Sequence, residues 1–303
     1  MRLLVLGAGA VGGYFGARLA EAGGEAAFLV RPARAAALRR DGLRVESPFG
    51  DLALRPAVLE EATPGFDAVL LACKAWDLEA AIAAIAPAVR GGACVLPVLN
   101  GMAHMERLRA AFGPAAVLGG LARIQATLGE GGVVRHLNPW CTLAFGEWEG
   151  GASARTAAIA AAFAGARGVE ARAVPDIRQR MWEKLVHLGT AAIGTVLLRA
   201  PVGAIARAGG TPLLHRVLER NAAIAAHHGH PMPDAFLAEY RALFADASSA
   251  YATSLLRDVQ AGRPNEGEAV LGFLLEAARR AGQPADLHEA AWLHARCAAP
   301  PAG

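Results

Sequence analysis

The feature that most constrains this chain lies at its N-terminal end. Residues 2–6 form a short apolar run closed by glycine, and residues 10–22 carry a helical pattern ended by Gly23-Gly24. Between them stands Gly7-Ala8-Gly9-Ala10-Val11-Gly12, a GxGxxG pattern. In a chain with 35 glycines the pattern alone says little; its position between a strand and a helix gives it meaning. Gly7 permits the tight turn, Gly9 lets a pyrophosphate approach the backbone, and Gly12 lets the helix pack close to the sheet. The N–H groups at the helix start, around Ala10 and Val11, then bind the anion. The alternative is a plain tight turn in an α/β protein.

A second apolar run at residues 26–30 completes a βαβ unit and stops at Arg31-Pro32. Residues 43–46 and 51–54 flank Ser47-Pro48-Phe49-Gly50 as a hairpin. Residues 67–73 and 93–98 read as buried strands with a helix over 77–89 between them, and shorter strands are predicted at 133–135, 143–145 and 169–173. A further helix is expected near 153–166. Alternating strands and helices imply a parallel sheet covered on both faces. After Val174-Pro175-Asp176 the pattern is helix upon helix: 179–198, 212–228, 234–247, 265–281 and 285–297. The expected fold class is therefore α/β, with a Rossmann-type dinucleotide-binding domain over 1–174 and an all-α domain over 175–303.

The chain has 303 residues, of which 54% are hydrophobic and 19% charged, which excludes intrinsic disorder. Its net charge of +3 is spread without runs, so no nucleic acid partner is expected and a small anionic ligand is the natural reading. The four cysteines, Cys73, Cys94, Cys141 and Cys297, form no CxxC pair, so reduced thiols and a cytoplasmic location are the expectation. The apolar run after Arg2 imitates a secretory signal but reaches glycine within a few residues. No stretch offers about 20 uninterrupted apolar residues, so no membrane span is expected.

Arg31 follows the second strand, where an acidic residue would meet the ribose 2′-hydroxyl of NAD. A guanidinium favours a 2′-phosphate instead, which points to NADP (NADPH) as cofactor. Arg34 either assists or is a solvated surface arginine. Lys74 and Asn100 each follow a predicted strand, at the carboxyl ends that open onto a ligand crevice; the alternatives are an ordinary surface lysine and a turn former. Lys184 sits in the largely apolar run Met181-Trp182-Glu183-Lys184-Leu185-Val186. Partial burial would suit it to give up a proton near neutral pH, unless it snorkels out of a core helix. Ser254 precedes Leu255-Leu256. Glu266 opens a predicted helix, where the dipole favours its carboxylate, and Asn265 with Glu268 reads as a capping pair. His227, His228 and His230 are broken up by Gly229 and Pro231, so no metal site is read and a solvated helix end is expected. His104 is expected in a first helical turn, in a structural role.

Taken in order, Gly7-x-Gly9-x-x-Gly12, Arg31, Lys74-Ala75-Trp76, Asn100-Gly101-Met102, Trp182-Glu183-Lys184-Leu185 and Ser254-Leu255-Leu256-x-Asp258-x-x-x-Gly262-Arg263-x-x-Glu266 resemble the ketopantoate reductase (2-dehydropantoate 2-reductase) family. The resemblance spans nearly the whole chain. It implies NADPH-dependent reduction of a 2-oxo acid, with pantothenate biosynthesis as the setting. It also implies Lys184 as catalytic acid, Glu266 as partner of the reacting oxygen, Asn100 and Ser254 as substrate contacts, and Lys74 with Asn100 on the cofactor side. A homodimer is compatible with it.

The chain departs from the family pattern where asparagines are common, carrying Leu188, Ala192, Val202 and Tyr251 at those positions. Two readings therefore stand beside ketopantoate reduction: a related reductase for a more apolar 2-oxo acid, and a non-catalytic NADP-binding sensor.

Overall fold

The computed structural model describes residues 1–300. It divides into two compact units, the first of Met1–Leu99 with His104–Arg178, the second of Asn100–Ala103 with the residues from Gln179 on.

In the first unit the chain runs β1 (Arg2–Leu6), α1 (Ala10–Glu21), β2 (Glu25–Leu29), α2 (Pro32–Asp41), β3 (Leu43–Glu46), β4 (Leu52–Leu54), β5 (Ala57–Leu59), β6 (Ala68–Leu71), α3 (Leu78–Arg90) and β7 (Cys94–Pro97). It continues through α4 (Ala103–Phe112), β8 (Leu118–Arg123), β9 (Ala126–Leu128), β10 (Val134–His136), β11 (Thr142–Glu147), α5 (Ala154–Ala162) and β12 (Glu170–Ala173). Five strands form one sheet in the order β5-β2-β1-β6-β7, every pair parallel. Because both faces are covered, β6 and β7 are buried at every residue, as the unbroken apolar runs require. The order reverses at β1, with β2 on one side and β6 on the other, and ligand crevices in such sheets open at the carboxyl ends beside that strand. Val5, Phe15, Phe28, Leu70 and Leu96 anchor the core. Two smaller sheets, β4-β3-β10-β9 and β12-β11-β8, complete the unit.

Helices make up the rest: α6 (Ile177–Leu198), α7 (Val202–Arg207), α8 (Thr211–His227), α9 (Asp234–Ala245), α10 (Ser254–Gln260), one turn of π-helix at Glu268–Gly272 leading into α11 (Phe273–Arg280), and α12 (Asp286–Cys297). Ile193, Val196, Val217, Leu271 and Ala291 pack in their core. A buried polar chain ties three of them: His288 Nε2 donates to Asn221 Oδ1 (2.8 Å), Asn221 Nδ2 to Thr190 Oγ1 (2.9 Å), and Thr190 Oγ1 to the Val186 carbonyl (2.7 Å). Each of these three side chains thereby gains a partner, although His288 Nδ1 is buried without one. No described helix is long and apolar enough to cross a membrane.

Several elements differ from expectation for identifiable reasons. The second strand does stop ahead of Arg31-Pro32, at Leu29, but Pro32 also opens α2, a helix the sequence pattern did not indicate, because proline suits the first helical position. Strand β8 escaped notice because Gly119-Gly120 interrupts its apolar run; a Cβ at Gly120 would stand 2.4 Å from the Pro97 carbonyl oxygen, so close strand approach excludes a side chain there. The short β5 and β9 and the helices α7 and α10 were likewise unread. The Asn265 and Glu268 capping pair does not form: Asn265 Oδ1 accepts from Gly267 N–H (3.0 Å), while Glu268 accepts from the Trp292 indole (2.8 Å). The partition also departs from a cut at residue 174, since Asn100–Ala103 group with the helices.

Candidate functional site

The first unit presents the glycine turn. Gly7, at φ +94°, takes a conformation that side chains resist, and its N–H is held by the Leu29 carbonyl at 3.1 Å. Gly12 packs so tightly that a Cβ would lie 2.1 Å from the Gly7 carbonyl oxygen. Beyond Gly9 the opposite holds: a Cβ there would meet nothing within 4 Å. Gly9 is the N-cap of α1 and offers no side-chain acceptor, so the first-turn N–H groups at Ala10 and Val11 are left to another partner.

Arg31 caps α2 and is exposed; its guanidinium pairs with the Asp77 carboxylate. Lys74 precedes the 3₁₀ turn Ala75–Asp77, with its ammonium 5.5 Å from the centre of the exposed Trp76 ring. Arg34 is not a solvated surface arginine. Its guanidinium donates to the carbonyls of Ala8 (3.0 Å) and Gly132 (3.1 Å), bracing the glycine turn, and burial lowers its pKa.

In the second unit three of the expected residues converge. The half-buried Lys184, on α6, donates from Nζ to Asn100 Oδ1 at 3.1 Å, and Asn100 Nδ2 donates to Glu266 Oε2 at 3.3 Å. Asn100 reaches this point because Gly101, at φ +79°, turns the chain against the Ala269 carbonyl, where a Cβ would stand 2.4 Å away. Glu266 stands at the bend ahead of the π-helical turn, its own carbonyl accepting from Val270 N–H (3.1 Å). A narrow cleft is lined by Asn100, Glu266, Ser254, Asp258 and the apolar Leu188, Ala192, Leu255 and Val270.

Ser254 starts α10. The capping is done by Thr253, whose Oγ1 accepts from Leu256 N–H at 3.1 Å and meets Thr195 Oγ1 at 3.1 Å. Asp258 is held by Arg263 through Nε (3.1 Å) and Nη2 (2.8 Å).

Of the four asparagine departures, Leu188 and Ala192 line the cleft. Val202 is fully buried in α7 and its N–H donates to the Tyr251 carbonyl (2.9 Å), while the Tyr251 ring faces His187 at 5.5 Å. The histidine group is a solvated helix end only in part: His227 is exposed at the end of α8, while His228 and His230 both stack on Trp182, at 5.2 and 5.9 Å. His104 lies buried in α4. Sequence reasoning gave Leu255 and Val270 no role, since an apolar cleft wall carries the same pattern as core, and it gave Asp77 none, since nothing local ties it to Arg31.

A glycine turn at the reversing strand of a parallel sheet, followed in the chain by a helical unit carrying a Lys–Asn–Glu array, defines a class of two-part dinucleotide-binding oxidoreductases. Comparison with known proteins makes it particular. The family profile Ketopantoate reductase PanE/ApbA matches residues 3–150, and its companion for the C-terminal part matches residues 176–296. The chain belongs to the ketopantoate reductase family. It is 34% identical to the uncharacterized oxidoreductase YkpB of Bacillus subtilis, over 92% of this chain and 93% of that one. It is 31% identical to the 2-dehydropantoate 2-reductase of Halobacterium salinarum, over 92% of each. The crystal structure of 2-dehydropantoate 2-reductase from Geobacter metallireducens superposes with a TM-score of 0.87 at 29% identity, covering 98% of this chain and all of the other.

Proposed function

We propose that the protein is an NADPH-dependent reductase that converts a 2-oxo acid to a 2-hydroxy acid, with 2-dehydropantoate (ketopantoate) or a close analogue as substrate. Cofactor binding is assigned to residues 1–174 and the substrate and proton chemistry to residues 175–303 together with Asn100. The observation that carries the reading is the bonded array Lys184–Asn100–Glu266, of which Asn100 and Glu266 line a cleft.

The residues present fit a dinucleotide. Open space beyond Gly9 and the uncapped first turn of α1 suit a pyrophosphate, and Arg31 suits a 2′-phosphate. When bound, the nicotinamide supplies the hydride. The chain's own part is electrostatic and protonic. As the keto carbon is reduced, its oxygen gains negative charge; the Lys184 ammonium stabilises that charge and gives the proton from Nζ. Asn100 accepts from Nζ and so fixes the direction of the ammonium, while its amide holds Glu266 as an acceptor for the forming hydroxyl. Ser254 supplies a hydroxyl to the same cleft. Lys74 adds positive charge on the cofactor side.

A second reading, a more apolar 2-oxo acid as the better substrate, is favoured by Leu188 and Ala192 in the cleft wall, which offer a substrate hydroxyl no side-chain partner. One experiment tests both: loss of NADPH absorbance with a panel of 2-oxo acids. Turnover of ketopantoate, 2-oxoisovalerate or a bulkier analogue is expected, and no turnover of any would refute the reductase reading in favour of a cofactor-binding sensor. A preference for ketopantoate over 2-oxoisovalerate above about 10⁴ would refute the apolar reading, since only sites that hydrogen-bond a hydroxyl discriminate so strongly.

A further inference from the structure

The ion pair between Arg31 and Asp77 joins the loops that follow β2 and β6, the two strands flanking β1. Backbone bonds fix both loops beside the glycine turn: Gly7 N–H donates to Leu29 (3.1 Å) and Ala72 N–H to Leu6 (3.3 Å). Asp77 is the N-cap of α3, a position where aspartate normally accepts from the first-turn N–H groups, yet its side chain makes no cap hydrogen bond. Its carboxylate is turned to Arg31 instead. Glu79, two residues on, is engaged by Arg107 through two bonds of 2.9 Å.

We propose that Asp77 is a specificity-determining residue that restrains the preference for NADPH by acting as counterion to Arg31. The proposal rests on the dinucleotide reading above. A 2′-phosphate approaching Arg31 must share the guanidinium with the Asp77 carboxylate and meets its like charge. A cofactor bearing a ribose 2′-hydroxyl meets no such repulsion, and the carboxylate is an acceptor for that hydroxyl. Arg31 alone would favour the phosphorylated cofactor strongly; Arg31 with Asp77 narrows the difference.

The test is calorimetric titration of the full-length protein with NADPH and with NADH, for the unmutated chain, Asp77→Asn, Arg31→Ala and the double variant. Asparagine keeps the size of Asp77 and its capping ability while removing the charge. Asp77→Asn is expected to tighten NADPH about five- to tenfold, on the order of one or two exposed charge contacts, and to leave NADH within about twofold. The gain should shrink as salt is raised and vanish in the Arg31→Ala background. An unchanged ratio of the two dissociation constants, or equal weakening of both cofactors, would overturn the proposal and leave the ion pair as a tie between loops. Binding of neither cofactor by the unmutated protein would instead refute the dinucleotide reading itself.

Discussion

Replacing Asn100 by alanine removes two bonds of the array, one accepted from Lys184 Nζ at 3.1 Å and one donated to Glu266 Oε2 at 3.3 Å. A hydrogen bond to a charged group contributes about 1.5–3 kcal/mol. Both distances lie at the long end for N–H···O bonds, and Lys184 and Glu266 are only half-buried, so the lower figure applies to each. The loss is then about 3 kcal/mol, or roughly a hundredfold in kcat/KM if the ammonium acts only when held in place. Steady-state kinetics with NADPH and the best 2-oxo acid reads this directly, and thermal melting of the variant establishes that it is folded. Asn100→Asp gives a sharper comparison, because it keeps the acceptor for Lys184 but sets a second carboxylate against Glu266; its activity should also fall. A folded Asn100→Ala enzyme within about threefold of the original would show that these bonds do nothing for the reaction, and the reasoning from geometry to mechanism would fail.

Lys184→Ala should leave the NADPH dissociation constant nearly unchanged and lower turnover by roughly 10²–10⁴, the usual worth of general acid catalysis; near-normal turnover would reject Lys184 as proton donor. Leu188→Asn should raise kcat/KM for ketopantoate over 2-oxoisovalerate by about tenfold through one new hydrogen bond, and an unmoved ratio would mean that position 188 does not meet the substrate's side chain. Burial pushes His288 down from 6.5 to about 4, so the unfolded chain takes up a proton there before the native one does. This contribution to stability is complete above pH 6.5, falls as pH drops through the window, and is lost below about 4, amounting to about 3 kcal/mol. Urea unfolding at a series of pH values measures it, and a His288→Phe variant with the same pH slope as the original would contradict it.

What could be read from the chain beforehand was whatever a few neighbouring residues fix between them. The strand, glycine turn and helix at the N-terminus are local in this sense. Gly7 must turn and Gly12 must pack against atoms already present in the same βαβ unit, so the pattern and its structural reason sit in one segment. Lys184 was legible because a lysine within an apolar helical run is out of place by its periodicity. The strand stop before Arg31-Pro32 was legible, but the helix that Pro32 opens was not, since recognising it needs the residues that follow.

Tertiary structure decided the partners. Asn100 lies 84 residues from Lys184 and 166 from Glu266, and only folding groups it with the helices rather than with the strand it follows. Asp77 finds Arg31 across 46 residues, by virtue of a strand order that no local rule specifies. Arg34 looks in sequence like an exposed cation and in the fold braces the turn through Ala8. The reason is one of range. Propensity, capping and periodicity act within about one helical turn or one strand, so they determine elements and single out unusual residues. The direction of a long polar side chain is set by which hydrogen-bond partner the packed chain brings within about 3 Å, and that is a property of the whole fold.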